Sequence, residues 1–313
     1  MTPDIVSSHL LTGYQLPRLT ICEPRSYLNS RVTPKKEAEI FAFLIRQNPN
    51  DFLSLYYEGD ALQRLNLADS GMRCIERSYA LNPRFFPSVI ALAHYTNKNK
   101  EYARALEFYR KAEVLRPRDK DLLFQLGECL RKVGMLTDAV TYFKKASAMD
   151  STNALIHAQL GFAYFTLGRF DSSITEYETA IVFDEDNIQY FNNLARAYDA
   201  KDSLEGVIRT YKRAIAILHP ENISYAHNNL AVYYIRKCMY AEAADAFDHV
   251  YEFNPANRSA LRWRAEALAK IPDIKAAISA YERLLRLVEA EPSNLREQTD
   301  VKKAIDYYKH LKK

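Results

Sequence analysis

A pattern of small and aromatic residues recurs along the chain every 34 residues. It is clearest in residues 121–146, DLLFQLGECLRKVGMLTDAVTYFKKA, and in residues 155–180, LIHAQLGFAYFTLGRFDSSITEYETA. In both copies Leu-Gly is followed by a glycine turn, and then by a small residue, an aromatic residue and an alanine. A period of this length is typical of repeat proteins, in which one unit cannot bury its apolar face alone and neighbouring units must stack.

The same marks run through most of the chain. The aromatic position is occupied by Tyr109, Phe143, Tyr177, Tyr211, Phe247 and Tyr281, and the alanine position by Ala112, Ala146, Ala180 and Ala214. Prolines close several units at Pro49, Pro83, Pro117 and Pro255. This pattern resembles the tetratricopeptide repeat. The resemblance implies an all-α protein, an α-solenoid of about seven helical hairpins that wind into a right-handed superhelix with a capping helix at each end.

We expect four regions in the chain. They are an irregular N-terminal segment (1–33), a capping helix or half repeat (34–51), seven repeats (52–291) and a C-terminal capping helix (292–313). The repeats are predicted to begin near Phe52, Phe86, Lys120, Ala154, Ile188, Ser224 and Arg258. The fifth repeat is two residues longer than the others, and we expect the extra residues to form a longer connection at 218–221.

Both ends of the repeat array carry helix-start signals. Thr33 before Pro34 predicts a helix with a side-chain cap and a preset first residue. Asn294, followed three residues later by Glu297, resembles a capping box. Residues 1–32 are too apolar for a solvated tail, so we expect them to lie against a partner or against the chain's own groove.

No catalytic constellation can be recognised in the sequence. A GxSxG elbow, a phosphate-binding glycine loop and metal-ligand spacings of histidine are all missing from it. We therefore predict that the chain is not an enzyme, that it needs no cofactor or metal and that it has no small-molecule substrate.

Charge and hydropathy narrow the classes of partner. The 43 Lys and Arg against 39 Asp and Glu give a net charge of +4, without the basic stripe expected of a nucleic-acid binder. No apolar run reaches the roughly 18–20 residues that span a bilayer. We thus expect neither nucleic acid nor membrane as a partner. The scattered cysteines predict free thiols and a cytoplasmic location, with nuclear and organellar locations left open.

The resemblance also implies a concave groove lined by the first helix of each hairpin. In the first four repeats the candidate lining residues are Tyr56, Asp60, Arg64, His94, Lys98, Phe124, Gln125, Glu128, Arg131, Gln159 and Phe162. In the last three repeats the candidates chosen as peptide contacts are Asn192, Asn193, Arg196, Asn228, Asn229, Arg262 and Trp263.

A double asparagine stands at the same point of two consecutive repeats, in FNNLARAY (191–198) and HNNLAVYY (227–234). Because an amide both donates and accepts hydrogen bonds, it can hold a peptide backbone without selecting its side chains. Arg196 and Arg262 would add a charge-assisted bond to an acidic side chain or a C-terminal carboxylate. The alternative is that the asparagines bridge neighbouring helices and stiffen the stack. Trp263 is open to both readings, as a binding anchor or as a packing residue.

Two functional hypotheses follow from this reading. In the first, the chain is a scaffold that binds an extended peptide of a partner protein in its concave groove. In the second, it is a structural subunit of a larger assembly, which it contacts through its convex face and its N-terminal segment.

Overall fold

The computed structural model describes residues 32–271, 273–290 and 295–311, which form sixteen α-helices and no strand. The chain divides into two compact units, Met1–Met135 and Leu136–Lys313. The helices of the first unit are α1 (Pro34–Gln47), α2 (Phe52–Arg64), α3 (Ala68–Leu81), α4 (Phe86–Lys98), α5 (Tyr102–Leu115) and α6 (Lys120–Lys132).

The second unit contains the remaining helices of the described chain. They are α7 (Leu136–Met149), α8 (Ala154–Thr166), α9 (Phe170–Phe183), α10 (Ile188–Ala200), α11 (Leu204–Ile217), α12 (Pro220–Arg236), α13 (Tyr240–Phe253), α14 (Arg258–Lys270), α15 (Ile274–Glu289) and α16 (Leu295–Leu311). Within each unit every helix packs against the next one along the chain. The prediction of an all-α solenoid of helical hairpins is confirmed.

Short polar side chains start most of the first helices. Asp119, Asn153 and Asn187 stand 34 residues apart, and each side chain accepts a hydrogen bond from a backbone N–H in the first turn that follows it. The first N–H groups of a helix have no partner inside the helix, so such a cap fixes where the helix begins. The repeat in the sequence therefore sets the starting points of α6, α8 and α10.

A left-handed backbone residue marks the turn inside six of the hairpins. These residues, with φ between 54° and 85°, are Asn66, Lys100, Gly134, Gly168, Asp202 and Cys238. Only two of the six are glycine, although glycine is the residue that adopts this conformation without strain. The turn geometry thus repeats more faithfully than the sequence that produces it.

Glycine allows the two helices of a hairpin to approach closely. A Cβ on Gly161 of α8 would lie 2.9 Å from the ring of Tyr177 of α9. At the same contact the Ser173 hydroxyl donates to the Gly161 carbonyl over 2.8 Å. In the first unit a Cβ on Gly59 would lie 2.6 Å from the Gly71 carbonyl oxygen. Small residues at these positions therefore allow the two helices of a hairpin to pack closely.

The repeated aromatic residues fill the space between successive hairpins. Tyr177 is 1% exposed and packs in one cluster with Phe191 and Leu194 of α10. Phe247 occupies the equivalent place in the next part of the core and is fully buried. Each hairpin therefore completes its core only when its neighbour is in place.

The structure tests the sequence predictions for one end of the repeat array and for one insertion. Thr33 caps α1 with its hydroxyl, and Pro34 is the first helical residue, as predicted. The longer connection expected at 218–221 is wrong, because α12 begins at Pro220 and runs for 17 residues. Proline is preorganised for a first helical position, so the insertion extends the helix. Asn294 and the N-terminal segment up to residue 31 lie outside the described residues.

We expect Gly161→Ala to destabilise the fold. Alanine is a better helix former than glycine by about 1 kcal/mol, but the overpacked methyl group against Tyr177 costs about 1–3 kcal/mol. Urea unfolding followed by circular dichroism should show the net loss. Thr166→Ala, at an exposed position of the same helix, is the control. A more stable Gly161→Ala variant would contradict the close contact.

We expect Cys238→Gly to stabilise the protein by about 0.5–1 kcal/mol, because glycine removes the strain of a left-handed residue at φ 58°. Cys238→Ala keeps the Cβ atom and should give no such gain. Thermal unfolding of the three proteins under reducing conditions measures the difference. Equal melting temperatures for the glycine and alanine variants would show that the turn carries no strain.

Candidate peptide-binding surface

Helix α10 presents one polar row beside its buried face. The buried residues are Tyr190, Phe191, Leu194, Ala195 and Ala197. Asn192, Arg196 and Asp199 follow at helical spacings of four and three, which place them on one side of the helix. The apolar spacing of α10 thus decides which polar residues are aligned.

Helix α12 supplies the opposite wall. It places Asn229, Val232 and Arg236 beside its buried residues, which include Leu230 and Tyr233. Together the two helices and α11 line an open cavity of about 280 Å³. Its lining is Asn192, Ala195, Arg196, Asp199, Val207, Tyr211, Asn229, Val232, Tyr233 and Arg236.

The two helices are joined across this cavity by an amide pair. The Nδ2 atom of Asn229 donates to the Oδ1 atom of Asn192 over 2.7 Å. Both side chains are partly buried. Two amides offer four donor hydrogens and two acceptor oxygens, and this bond uses one of each. The pair therefore bridges the helices and still has donors and an acceptor for a ligand.

Charge at the cavity is partly neutralised. Arg236 donates to Asp199 over 2.9 Å, and Lys237 lies 3.5 Å from the same carboxylate. Burial raises the pKa of Tyr211 to about 12, and Asp199 adds to the shift while Arg196 and Arg236 oppose it. The Tyr211 phenol consequently keeps its proton at neutral pH.

Arg196 differs from the other cations of this surface. Its guanidinium lies 5.2 Å from the ring centroid of Phe165 in α8. Within the described ranges it forms no ion pair. A guanidinium that rests on an aromatic face keeps its donors directed outward, where they suit a carboxylate.

The other two predicted asparagines are placed differently. Asn193 and Asn228 are half-buried, and neither lines the cavity that contains Asn192 and Asn229. The sequence treats Asn193 and Asn229 as equivalent positions, whereas the structure pairs Asn192 with Asn229. Nothing in the structure tests their assignment as peptide contacts, and their place outside the cavity makes them suitable controls for Asn192 and Asn229.

Arg262 and Trp263 lie on α14, away from the amide pair. The Arg262 guanidinium contacts the Glu297 carboxylate of α16 at 2.6 Å, and Arg258 lies 3.7 Å from the same group. Trp263 is 46% exposed. The structure therefore brings together Asn192, Arg196 and Asn229, but not Arg262 and Trp263. The Arg262 guanidinium already has an acidic partner.

Sequence reasoning missed several lining residues. Asp199 could have been found, since it stands seven residues after Asn192 and shares its face. Tyr211 belongs to a second helix and was read only as a packing residue. Its place in the lining depends on how α11 packs between α10 and α12.

Three protein-family models match parts of the repeat region of this chain. Residues 163–202 match a family described as TPR repeat, and residues 121–153 and 225–292 match families described as tetratricopeptide repeat. This chain therefore contains tetratricopeptide repeats within residues 121–153, 163–202 and 225–292. A search of curated proteins found no match.

Solved structures of tetratricopeptide-repeat proteins share the fold. The C-terminal part of a TPR repeat-containing protein from Cytophaga hutchinsonii has a TM-score of 0.61 and 17% identity, covering 74% of this chain and 94% of that one. YrrB, described as a TPR protein with an unusual peptide-binding site, has a TM-score of 0.53 and 19% identity, covering 57% and 92%. At such identities the similarity shows the fold alone. Among the described helices of this tetratricopeptide-repeat protein, none combines the length and apolarity that crossing a bilayer requires.

We expect the amide pair to couple α10 to α12 energetically. Asn192→Ala, Asn229→Ala and the double variant form a cycle, in which the coupling should be about 0.5–1.5 kcal/mol, the net value of one hydrogen bond. Urea unfolding provides the measurement, and the circular dichroism spectra of the folded proteins should coincide. Asn228→Ala is the matched control. Additive losses in the cycle would show that the bond contributes no stability.

Proposed function

We propose that this tetratricopeptide-repeat protein is a protein–protein interaction scaffold that holds an extended segment of a partner across α10 and α12. Asn192 and Asn229 bind the backbone of the segment, and Arg196 binds an acidic side chain or a C-terminal carboxylate. The observation that carries the proposal is the cavity in which a partly used amide pair lies beside an arginine with no ion pair among the described residues.

The amide pair suits a backbone better than a side chain. A peptide group presents one N–H and one C=O, and the pair retains both kinds of complement. Because the two amides are already held at 2.7 Å, little side-chain entropy is lost when a peptide binds. Affinity then arises from several modest contacts, and the sequence of the partner is selected by neighbouring groups.

Arg196 is the neighbouring group most suited to selection. Arg236 and Arg262 are engaged by Asp199 and Glu297, so an incoming carboxylate would have to displace a resident one. Arg196 requires no such exchange, and its guanidinium can form two parallel bonds to one carboxylate. We therefore place the acidic residue of the partner beside Arg196, with Arg262 and Trp263 as secondary contacts.

A second candidate is a structural subunit that contacts an assembly through its outer face. Two equivalent positions of second helices favour it: Val114 of α5 is 81% exposed and Val182 of α9 is 69% exposed. In this case the partner would cover apolar residues of the second helices together with the N-terminal segment, residues 1–33.

The experiment compares two double variants as baits in a lysate of the source cells. Asn192→Ala/Asn229→Ala should lose the partner, with a dissociation constant raised about tenfold or more for the bound segment once mapped. Asn193→Ala/Asn228→Ala removes two asparagines from the same helices but outside the cavity, and should retain the partner. Mass spectrometry identifies the captured proteins, and calorimetry measures the affinities.

The opposite results have definite meanings. If both baits retain the same partners, the amide pair is not the binding site. Val182→Lys then tests the outer face, because a charge at that position disfavours an apolar interface. If both baits lose the partner equally, the loss does not come from the cavity.

We also expect Arg196→Gln to lower the affinity of the mapped segment by about tenfold or more, the worth of a charge-assisted bond. The same peptide with its acidic residue replaced by an amide should bind wild-type and variant equally. An unchanged affinity in Arg196→Gln would exclude Arg196 from recognition. Circular dichroism of the variant checks that the helices remain.

A further inference from the structure

A second polar cavity lies in the first unit, between α4 and α6 and beside the turn that joins α4 to α5. Its volume is about 410 Å³. Three lysines line it, Lys98, Lys100 and Lys132, together with neutral groups that include Asn97. The sequence pattern had marked Lys98 as facing the groove but gave no reason to group it with the other two lysines.

The positive charge in this cavity is not neutralised locally. No carboxylate belongs to the lining, and none of the three lysines forms an ion pair with any residue that the structure describes. The nearest acidic residues in sequence already have partners: Glu101 pairs with Arg104 at 3.3 Å, and Glu128 pairs with Arg131 at 3.0 Å. Like charges gathered in one recess favour an anion that satisfies several of them at once.

Neutral groups contact one of the three lysines, Lys132. The Nζ atom of Lys132 donates to the Oδ1 atom of Asn97 over 3.3 Å and lies 5.4 Å from the ring centroid of Tyr102. Lys100 occupies the left-handed turn position, with φ 65°. An ammonium group has three donors, so Lys132 retains two after its bond to Asn97.

The buried phenol ring of Tyr109 packs next to the lining of this cavity. Tyr109 is fully buried, and its hydroxyl lies close enough to the Asn97 side chain to interact with it. Its ring lies 5.9 Å from the ring of His94, which lines the cavity. Desolvation lowers the pKa of His94, although part of its ring is exposed, and this favours the neutral imidazole. The lining therefore combines an imidazole with the three lysines.

We propose that this cavity binds the phosphoryl group of a phosphorylated side chain on a partner protein. A phosphoryl group carries about −1.5 to −2 charges at pH 7 and three acceptor oxygens, which match three ammonium groups better than one carboxylate does. All three lysines line one recess, which suits a single protruding side chain. This site and the amide pair lie in different units. The two proposals are therefore independent, and failure of one leaves the other unaffected.

The test uses the full chain and fluorescence polarisation. The probes are labelled pools of short peptides of degenerate sequence around a central phosphoserine, and the same pools with serine. At an ionic strength of about 0.15 M, the phosphorylated pool should bind at least about tenfold more tightly. O-phosphoserine should displace the pool at high concentration, whereas glutamate should not.

Two variants and one control assign the binding to the cavity. Lys98→Gln/Lys132→Gln should weaken binding about tenfold or more. Lys98→Gln/Lys100→Gln leaves the Lys132–Asn97 bond intact and should weaken binding by a similar factor. This second variant tests the cavity even if the first one does not fold. Lys35→Gln/Lys36→Gln removes two exposed charges from α1 of the same unit, and should bind as the wild-type chain does.

Four results would overturn the proposal. The first is equal binding of the phosphorylated and unphosphorylated pools, and the second is an equal loss of binding in the cavity variants and the α1 control. The third is full displacement of the peptide by inorganic phosphate at the same concentration. The fourth is binding to vesicles that contain phosphatidylinositol phosphates without binding to the peptides. The last two would assign the anion to a free or a lipid source.

Discussion

Close approach of the two helices in each hairpin is the constraint on which the rest of the structure depends. Where Gly161 meets Tyr177 and Ser173, no Cβ can be accommodated without movement of a buried ring. That contact holds Tyr177 in position for the core that it shares with α10. The spacing of α10 and α12 then brings the Asn192 and Asn229 amides to 2.7 Å. The close contact at Gly161 thus belongs to the same packed core that includes residues of α10 and α12.

The first helices of the second unit are connected by polar contacts as well as by core packing. The amide pair and the Asp199–Arg236 ion pair join α10 to α12, and Arg262 joins α14 to Glu297 of α16. Exposed ion pairs contribute little to stability, but they fix side chains before a ligand arrives. A surface arranged in this way loses less conformational entropy on binding. The remaining capacity for new bonds is then concentrated at a few groups.

The two units show how one repeat geometry carries different recognition chemistry. In the first unit the cavity between first helices gathers Lys98, Lys100 and Lys132 without a carboxylate. In the second unit the equivalent kind of cavity holds an amide pair and a charge that Asp199 only partly neutralises. Backbone and core positions repeat, whereas the surface positions of the first helices vary freely. Function is therefore decided by these surface residues and not by the fold.

The sequence by itself determined the helical repeat, because a 34-residue period requires stacked units and its small and aromatic residues resemble the tetratricopeptide repeat. It also indicated which helices carry the polar residues. Only the tertiary structure decided which asparagines meet: the motif aligns Asn193 with Asn229 at a spacing of 36 residues, whereas the contact joins Asn192 to Asn229 at 37. Helical periodicity fixes the face of a residue on its own helix, but the offset between neighbouring helices follows from how their cores pack. The ion pair of Arg262 with Glu297 and the start of α12 at Pro220 depend on the same packing.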